Sequence, residues 1–167
     1  MVLGSRPAEV EALIEKRRRL GQDLLDEIWE GDYHMVPAPH PRHGALEIQL
    51  ARLLGPAADA VGLTASGPFN VGEPGNFRVP DQGYYEGRPD EVFLATASVV
   101  VEVRSPGDET YEKFGFYADH QVDEIVVLEP DDDSVRWFAL ADGDYVEVDR
   151  SAVLTVDVAD IESQLAW

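Results

Sequence analysis

The stretch VVVEVRSPGDETYEKFGFY, residues 99–117, decides how this chain is read. Val99, Val100, Val101 and Val103 make the strongest strand of the sequence, yet Glu102 stands inside it, and Lys113, one of only two lysines, follows soon after. Alternation along a strand puts Val99, Val101 and Val103 on one face and Ser98, Val100, Glu102 and Arg104 on the other. A carboxylate in such a strand must be paired, protonated, exposed or bound to a metal, because an isolated buried charge is too costly. SPGD then offers a helix start, with Ser105 as N-cap, Pro106 in the first turn and Asp108 near the positive end of the helix dipole. The spacing predicts a helix running from there through ETYEKFGFYADH, with Tyr111, Phe114 and Ala118 along it.

Outward from this stretch the pattern stays mixed. EIVVLEP reads as a second buried strand, and DDDS and ADGD as turns leading into VRWFAL and YVEV. DIESQLAW closes the sequence as a short helix. On the N-terminal side, GLTASGPFNVG and NFRVPDQGYY are short strands and turns, with Pro80 marking a strand end. PAPHPRHG opens a helix near Arg42 whose apolar face is Leu46, Leu50, Leu53 and Leu54. DEIWEGDYHMV reads as two short strands about a Glu-Gly-Asp turn. PAEVEALIEKRRRL, residues 7–20, reads as a helix with Val10, Leu13, Ile14 and Leu20 on one stripe. Helix, hairpin, helix, strands, helix and strands indicate an α/β or α+β fold, a mixed sheet flanked by helices. We expect a single domain over residues 1–167, with 1–20 as an N-terminal helical extension.

Composition narrows the chemistry. There is no cysteine, which excludes disulfides, thiol nucleophiles and zinc-thiolate sites. No apolar run approaches the ~20 residues of a membrane span, and the first residues do not read as a signal peptide, so a cytoplasmic location is expected. The formal charge is −20, and residues 105–167 hold 17 acidic residues against Lys113, Arg136 and Arg150. Basic residues gather instead at Lys16–Arg19. Such a balance favours solubility and repels polyanions at long range.

Several residues could carry chemistry or be merely structural. Asp81 ends FRVPD and could cap a turn before Gly83. Lys113 could pair with Glu109 one helical turn earlier, an interaction contributing only about 0.2–0.5 kcal/mol. The chain has 11 arginines and 2 lysines, so a lysine here hints that a compact ammonium is wanted. His43 and Glu47 stand one turn apart and could face a metal, although HExxH is absent. No phosphate-binding loop, dinucleotide fingerprint or nucleophile elbow is present.

VPD, the long VVVEVRSPGDETYEKFGFYADHQVDEIVVLEP and VRWFAL together resemble the Uma-two restriction-endonuclease family, within the PD-(D/E)XK nuclease-like superfamily. The likeness is densest from Arg78 to Leu140 and extends more weakly to the hairpin and the helix after PRH. It implies a restriction-endonuclease-like core and a Mg²⁺- or Mn²⁺-dependent endonuclease acting on DNA. The catalytic residues implied are Asp81, Glu102 and a lysine, with Asp81, Glu102 and the Val103 backbone carbonyl as metal ligands. The superfamily lysine usually lies two residues after the Glu. Arg104 occupies that position here, and Lys113 fits a lysine displaced onto the following helix. Glu47 is similar to an assisting helix carboxylate, with His43 and Arg104 as further supporting residues. A homodimer is compatible with cutting both strands.

The charge tempers this, because duplex affinity rests largely on cations at phosphates. A nuclease reading needs a local basic rim, for which Arg42, Arg78, Arg104 and Lys113 are the expected members. A weakly active nuclease-fold protein serving as an interaction module, or an enzyme on another phosphate or small-molecule substrate, stays open beside it.

Overall fold

The structure is a computed structural model that describes residues 7–37 and 39–167. The valine run forms β8 (Val99–Val103), buried along its whole length. It pairs in parallel with β9 (Glu124–Glu129), which is buried throughout as well. Strands covered on both faces read as unbroken apolar runs rather than alternating ones. Both continue antiparallel: β9 to β10 (Ser134–Ala141) and β11 (Asp144–Glu147), and β8 to β6 (Gln82–Glu86) and β3 (Leu63–Ser66). The result is a six-stranded mixed sheet in the order β11-β10-β9-β8-β6-β3.

One face carries Val99, Val101 and Val103 with Val126, Leu128 and Trp137. Against it lie α2 (Pro41–Ala60), through Leu46, Leu50 and Leu54, and α4 (Val158–Glu162), through Val158 and Ile161. Those three leucines are fully buried, and each such side chain contributes roughly 1.5–3 kcal/mol. The other face carries Val100, Ile125 and Val127, covered by Phe116 and Tyr117 of α3 (Phe114–Asp119).

A second sheet has five strands in the order β2-β1-β5-β4-β7. It holds the hairpin β1 (Glu27–Trp29) and β2 (Asp32–His34), then β5 (Asn76–Arg78), β4 (Asn70–Glu73) and β7 (Phe93–Leu94). The chain crosses from this sheet to the larger one at Val79, Pro80 and Asp81, between β5 and β6. Gly83 follows in β6. A Cβ there would lie 2.5 Å from the Phe69 ring and 2.8 Å from the Val99 carbonyl oxygen, so the strands approach this closely only with glycine.

Two expectations are corrected. The helix predicted from Ser105 starts later, with a 3-10 turn at Tyr111–Lys113 leading into α3. Gly107 takes a positive φ of 78°. The Asp108 carboxylate accepts from the Ser105 and Thr110 amides and so holds a turn in which a helix cannot propagate. Helix α1 (Ala8–Arg19) forms where its pattern indicates, but only Ile14 of the stripe is buried, while Leu13 and Leu20 are 45% and 54% exposed. The first six residues of the expected extension lie outside the described residues. No helix among the described residues is long and apolar enough to cross a membrane.

Candidate active site

Glu102 occupies the penultimate position of β8 on the α3 face and is 3% exposed. Each of its oxygens lies 3.1 Å from Lys113 Nζ, and Tyr117 Oη donates to Oε1 at 2.6 Å. Lys113 and Tyr117 are one helical turn apart, so the 3-10 turn and α3 present both to the same carboxylate. Burial, reinforced by the charges of Asp81 and Glu27, pushes the Glu102 carboxyl up to about 8, against the pull of Lys113 and Tyr117.

Lys113 has a second carboxylate. Its Nζ lies 2.9 Å from Oε1 of Glu27, which comes from β1 of the other sheet. Burial works against the ammonium, and Glu102 and Glu27 together outweigh it, so its pKa is raised and the lysine stays charged. Glu27 is held in turn by the Val79 amide at 2.7 Å and the Trp29 indole at 2.6 Å. Glu109, the helical partner considered for Lys113, instead lies 2.7 Å from His34 Nδ1.

Asp81 stands where the chain enters β6. Its Oδ2 accepts from the Val103 amide at 2.7 Å, extending the β6–β8 pairing by one side chain. Its Oδ1 lies 3.1 Å from His43 Nε2, which is also 3.0 Å from Glu47 Oε1. The histidine sits between the two acids and aligns a hydrogen bond with neither, and its Nδ1 has no partner among the described residues. Burial disfavours the imidazolium, but the paired carboxylates raise His43 to about 10. His43, Glu47 and Asp81 each offer a ligand atom, all within 4.8 Å of one another. Their side chains are 12%, 22% and 20% exposed, so this side of the cluster opens to solvent. An imidazole with two carboxylates suits Mn²⁺ and related ions, and carboxylates with water suit Mg²⁺. The donor set fits a divalent cation once the histidine proton is lost.

The remaining arginines do not form the expected rim. Arg78 is 2% exposed, its guanidinium lying between the Trp29 and Phe116 rings at 4.3 and 4.0 Å. It donates to the Ile28 carbonyl at 3.1 Å, and burial lowers its pKa. Arg104 is engaged by Glu129 at 2.9 Å, and Arg42 by the Pro130 carbonyl at 2.7 Å and Asp133 at 3.2 Å. Lys113 is taken by its two carboxylates. Arginine-rich spacing says nothing of burial when aromatic partners come from distant elements.

Glu27 and Tyr117 were not singled out by the sequence. Glu27 carries no signal, since a three-residue strand is too short to show alternation. Tyr117 could have been found, because it lies four residues after Lys113 on a helical pattern.

No curated protein matches the sequence. Among solved structures, a crystal structure from Anabaena variabilis ATCC 29413, described as "a putative nuclease belonging to DUF820", is similar in fold. The TM-score is 0.67 at 15% identity, over 83% of this chain and 90% of that one. A family model described as "Putative restriction endonuclease" (Uma2) matches residues 11–165, nearly the whole sequence, and the chain belongs to that family.

Proposed function

We propose that the protein is a metal-dependent endonuclease hydrolysing phosphodiester bonds in DNA, folded as one nuclease-like domain. Asp81, Glu102 and Lys113 are its catalytic residues. Asp81, Glu102 and the Val103 carbonyl are the proposed ligands of Mg²⁺ or Mn²⁺, with His43 and Glu47 beside them and Arg104 supporting from the end of β8. The observation that carries the reading is the enclosed ammonium of Lys113, held against Glu102 within range of the Asp81 charge. Four carboxylates, Glu27, Glu47, Asp81 and Glu102, meet only two cations, Lys113 and His43. A divalent ion would stand in for the His43 proton among these acids.

A bound divalent ion would lower the pKa of a bound water and neutralise charge growing on phosphoryl oxygens. Lys113, whose ammonium is engaged by Glu102 and Glu27, is assigned the superfamily lysine's role of orienting that water or the phosphate. Tyr117 and Glu27 fix the geometry of Glu102 and Lys113, so the donors need no rearrangement as charge develops. Asp81 is fixed by the Val103 amide, leaving Oδ1 facing the His43 side. Two copies would suit cleavage of both strands of a duplex.

Nicking of supercoiled plasmid with Mn²⁺ or Mg²⁺ tests this. Activity should be lost in Lys113→Ala and in Asp81→Ala. Nicking unchanged in Lys113→Ala rejects the assignment. A second reading, an interaction module of weak or no activity, is favoured by the engagement of Arg42, Arg78, Arg104 and Lys113, which leaves none of the expected rim free. It predicts metal binding without nicking.

A further inference from the structure

A duplex-cutting protein of net charge −20 still has to hold a polyanion. Around the cluster, none of Arg42, Arg78 and Arg104 is free to do so, each being engaged within the described residues. Arg78 is buried between rings, and Arg42, Arg104, Arg136 and Arg150 each face a carboxylate. Among the described residues one cluster of unpaired cations remains, apart from the scattered Arg52 and Arg88. Lys16, Arg18 and Arg19, in the last turn of α1, are exposed and make no ion pair among the described residues. Cations complement the negative end of a helix dipole, but one would suffice, and three beyond Arg17 stand within four positions of a chain poor in basic residues.

Arg17, the fourth basic residue of the turn, is its anchor. It donates to Asp26 Oδ2 at 2.8 Å through Nε, and through Nη2 to Asp26 Oδ1 at 2.5 Å and the Val36 carbonyl at 3.1 Å. Asp26, 4% exposed, also accepts from Tyr33 Oη at 2.7 Å and the Val36 amide at 2.8 Å. The residue after Asp26 is Glu27, which holds Lys113. Through Arg17 and Asp26 the basic turn is therefore fastened next to the residue that holds Lys113.

Resting on the nuclease reading, we infer that Lys16, Arg18 and Arg19 form the phosphate-backbone contact for duplex DNA, gripping phosphates that flank the one cleaved. The contact is independent of base sequence, because it consists of charge alone.

The test is binding without turnover. Full-length wild-type protein and Lys16→Gln/Arg18→Gln/Arg19→Gln are titrated by anisotropy against a labelled duplex of about 30 base pairs in EDTA, from about 20 to 200 mM salt. Circular dichroism checks that the variant folds. The variant should bind at least about tenfold more weakly at low salt and lose about 2.7 from the slope of log affinity against log salt, about 0.9 per phosphate. Arg52→Gln/Arg88→Gln, which removes two exposed cations elsewhere, should bind as wild type does. Equal affinity and slope in the triple variant overturn the inference, as does wild-type protein that fails to bind duplex at low salt. An unchanged slope would also be the outcome if a protein partner covered Leu20 and the turn. No step of this assay needs catalysis, so its failure is distinct from a failure of Lys113→Ala to abolish nicking.

Discussion

Lys113 Nζ lies 3.1 Å from both oxygens of Glu102 and 2.9 Å from Glu27, so one ammonium ties a strand of the six-stranded sheet to a strand of the five-stranded one. Removing one partner of a buried ion pair leaves the other uncompensated, at a cost of about 3–5 kcal/mol. Lys113→Ala should fall at the low end, because Glu102 already favours a proton near neutrality. Urea unfolding without metal measures it. Combined with Glu27→Gln, the loss should be well below additive, since the same contact is removed twice. An additive result would mean that the two residues do not interact.

His43 gives a pH dependence with a definite sign. Its ordinary value of 6.5 is raised to about 10 in the folded, metal-free protein. A group whose pKa rises on folding stabilises fully below its unfolded value and ceases to do so as pH climbs through the folded one. The stability difference between wild type and His43→Gln should therefore shrink between pH 6.5 and 10. Divalent binding must displace the same proton, so affinity should rise with pH. Calorimetry in buffers of different ionisation enthalpy should register proton release at neutral pH.

Arg78→Lys keeps the charge and loses the planar stack between Trp29 and Phe116. A desolvated cation–π contact contributes about 2 kcal/mol, so the variant should lose at least that much. The emission of Trp29, whose indole donates to Glu27, should shift as well. Wild-type stability in this variant would show the sandwich to be incidental.

Gly83→Ala forces a Cβ against the Phe69 ring and the Val99 carbonyl. The ring can turn, but the carbonyl belongs to β8 and cannot. A loss of about 1–3 kcal/mol is expected, or about 2–4 °C of melting temperature per kcal/mol. Asp81 is two residues away, so metal affinity should weaken too.

The sequence makes the two covered sheet faces and the α2 stripe plain, because long runs of period two or near four leave one solution each for Val99–Val103 and for Leu46, Leu50 and Leu54. It shows the carboxylate of Glu102 as an anomaly and Lys113 as a rare cation nearby. It does not show Glu27, whose contact spans most of the chain. Nor does it show that Asp108 and Gly107 hold a turn where SPGD promises a helix, since both outcomes use the same residues. Arg78 reads as a surface cation until two rings from separate elements close over it.

The bridge made by Lys113 has a bearing on how such sequences are interpreted. A family member without nuclease activity would still need that amine to stop two acids from prising its layers apart. Retention of the lysine is then a witness to architecture, and the half-buried histidine and its neighbouring acids are where abandonment of chemistry would first be written.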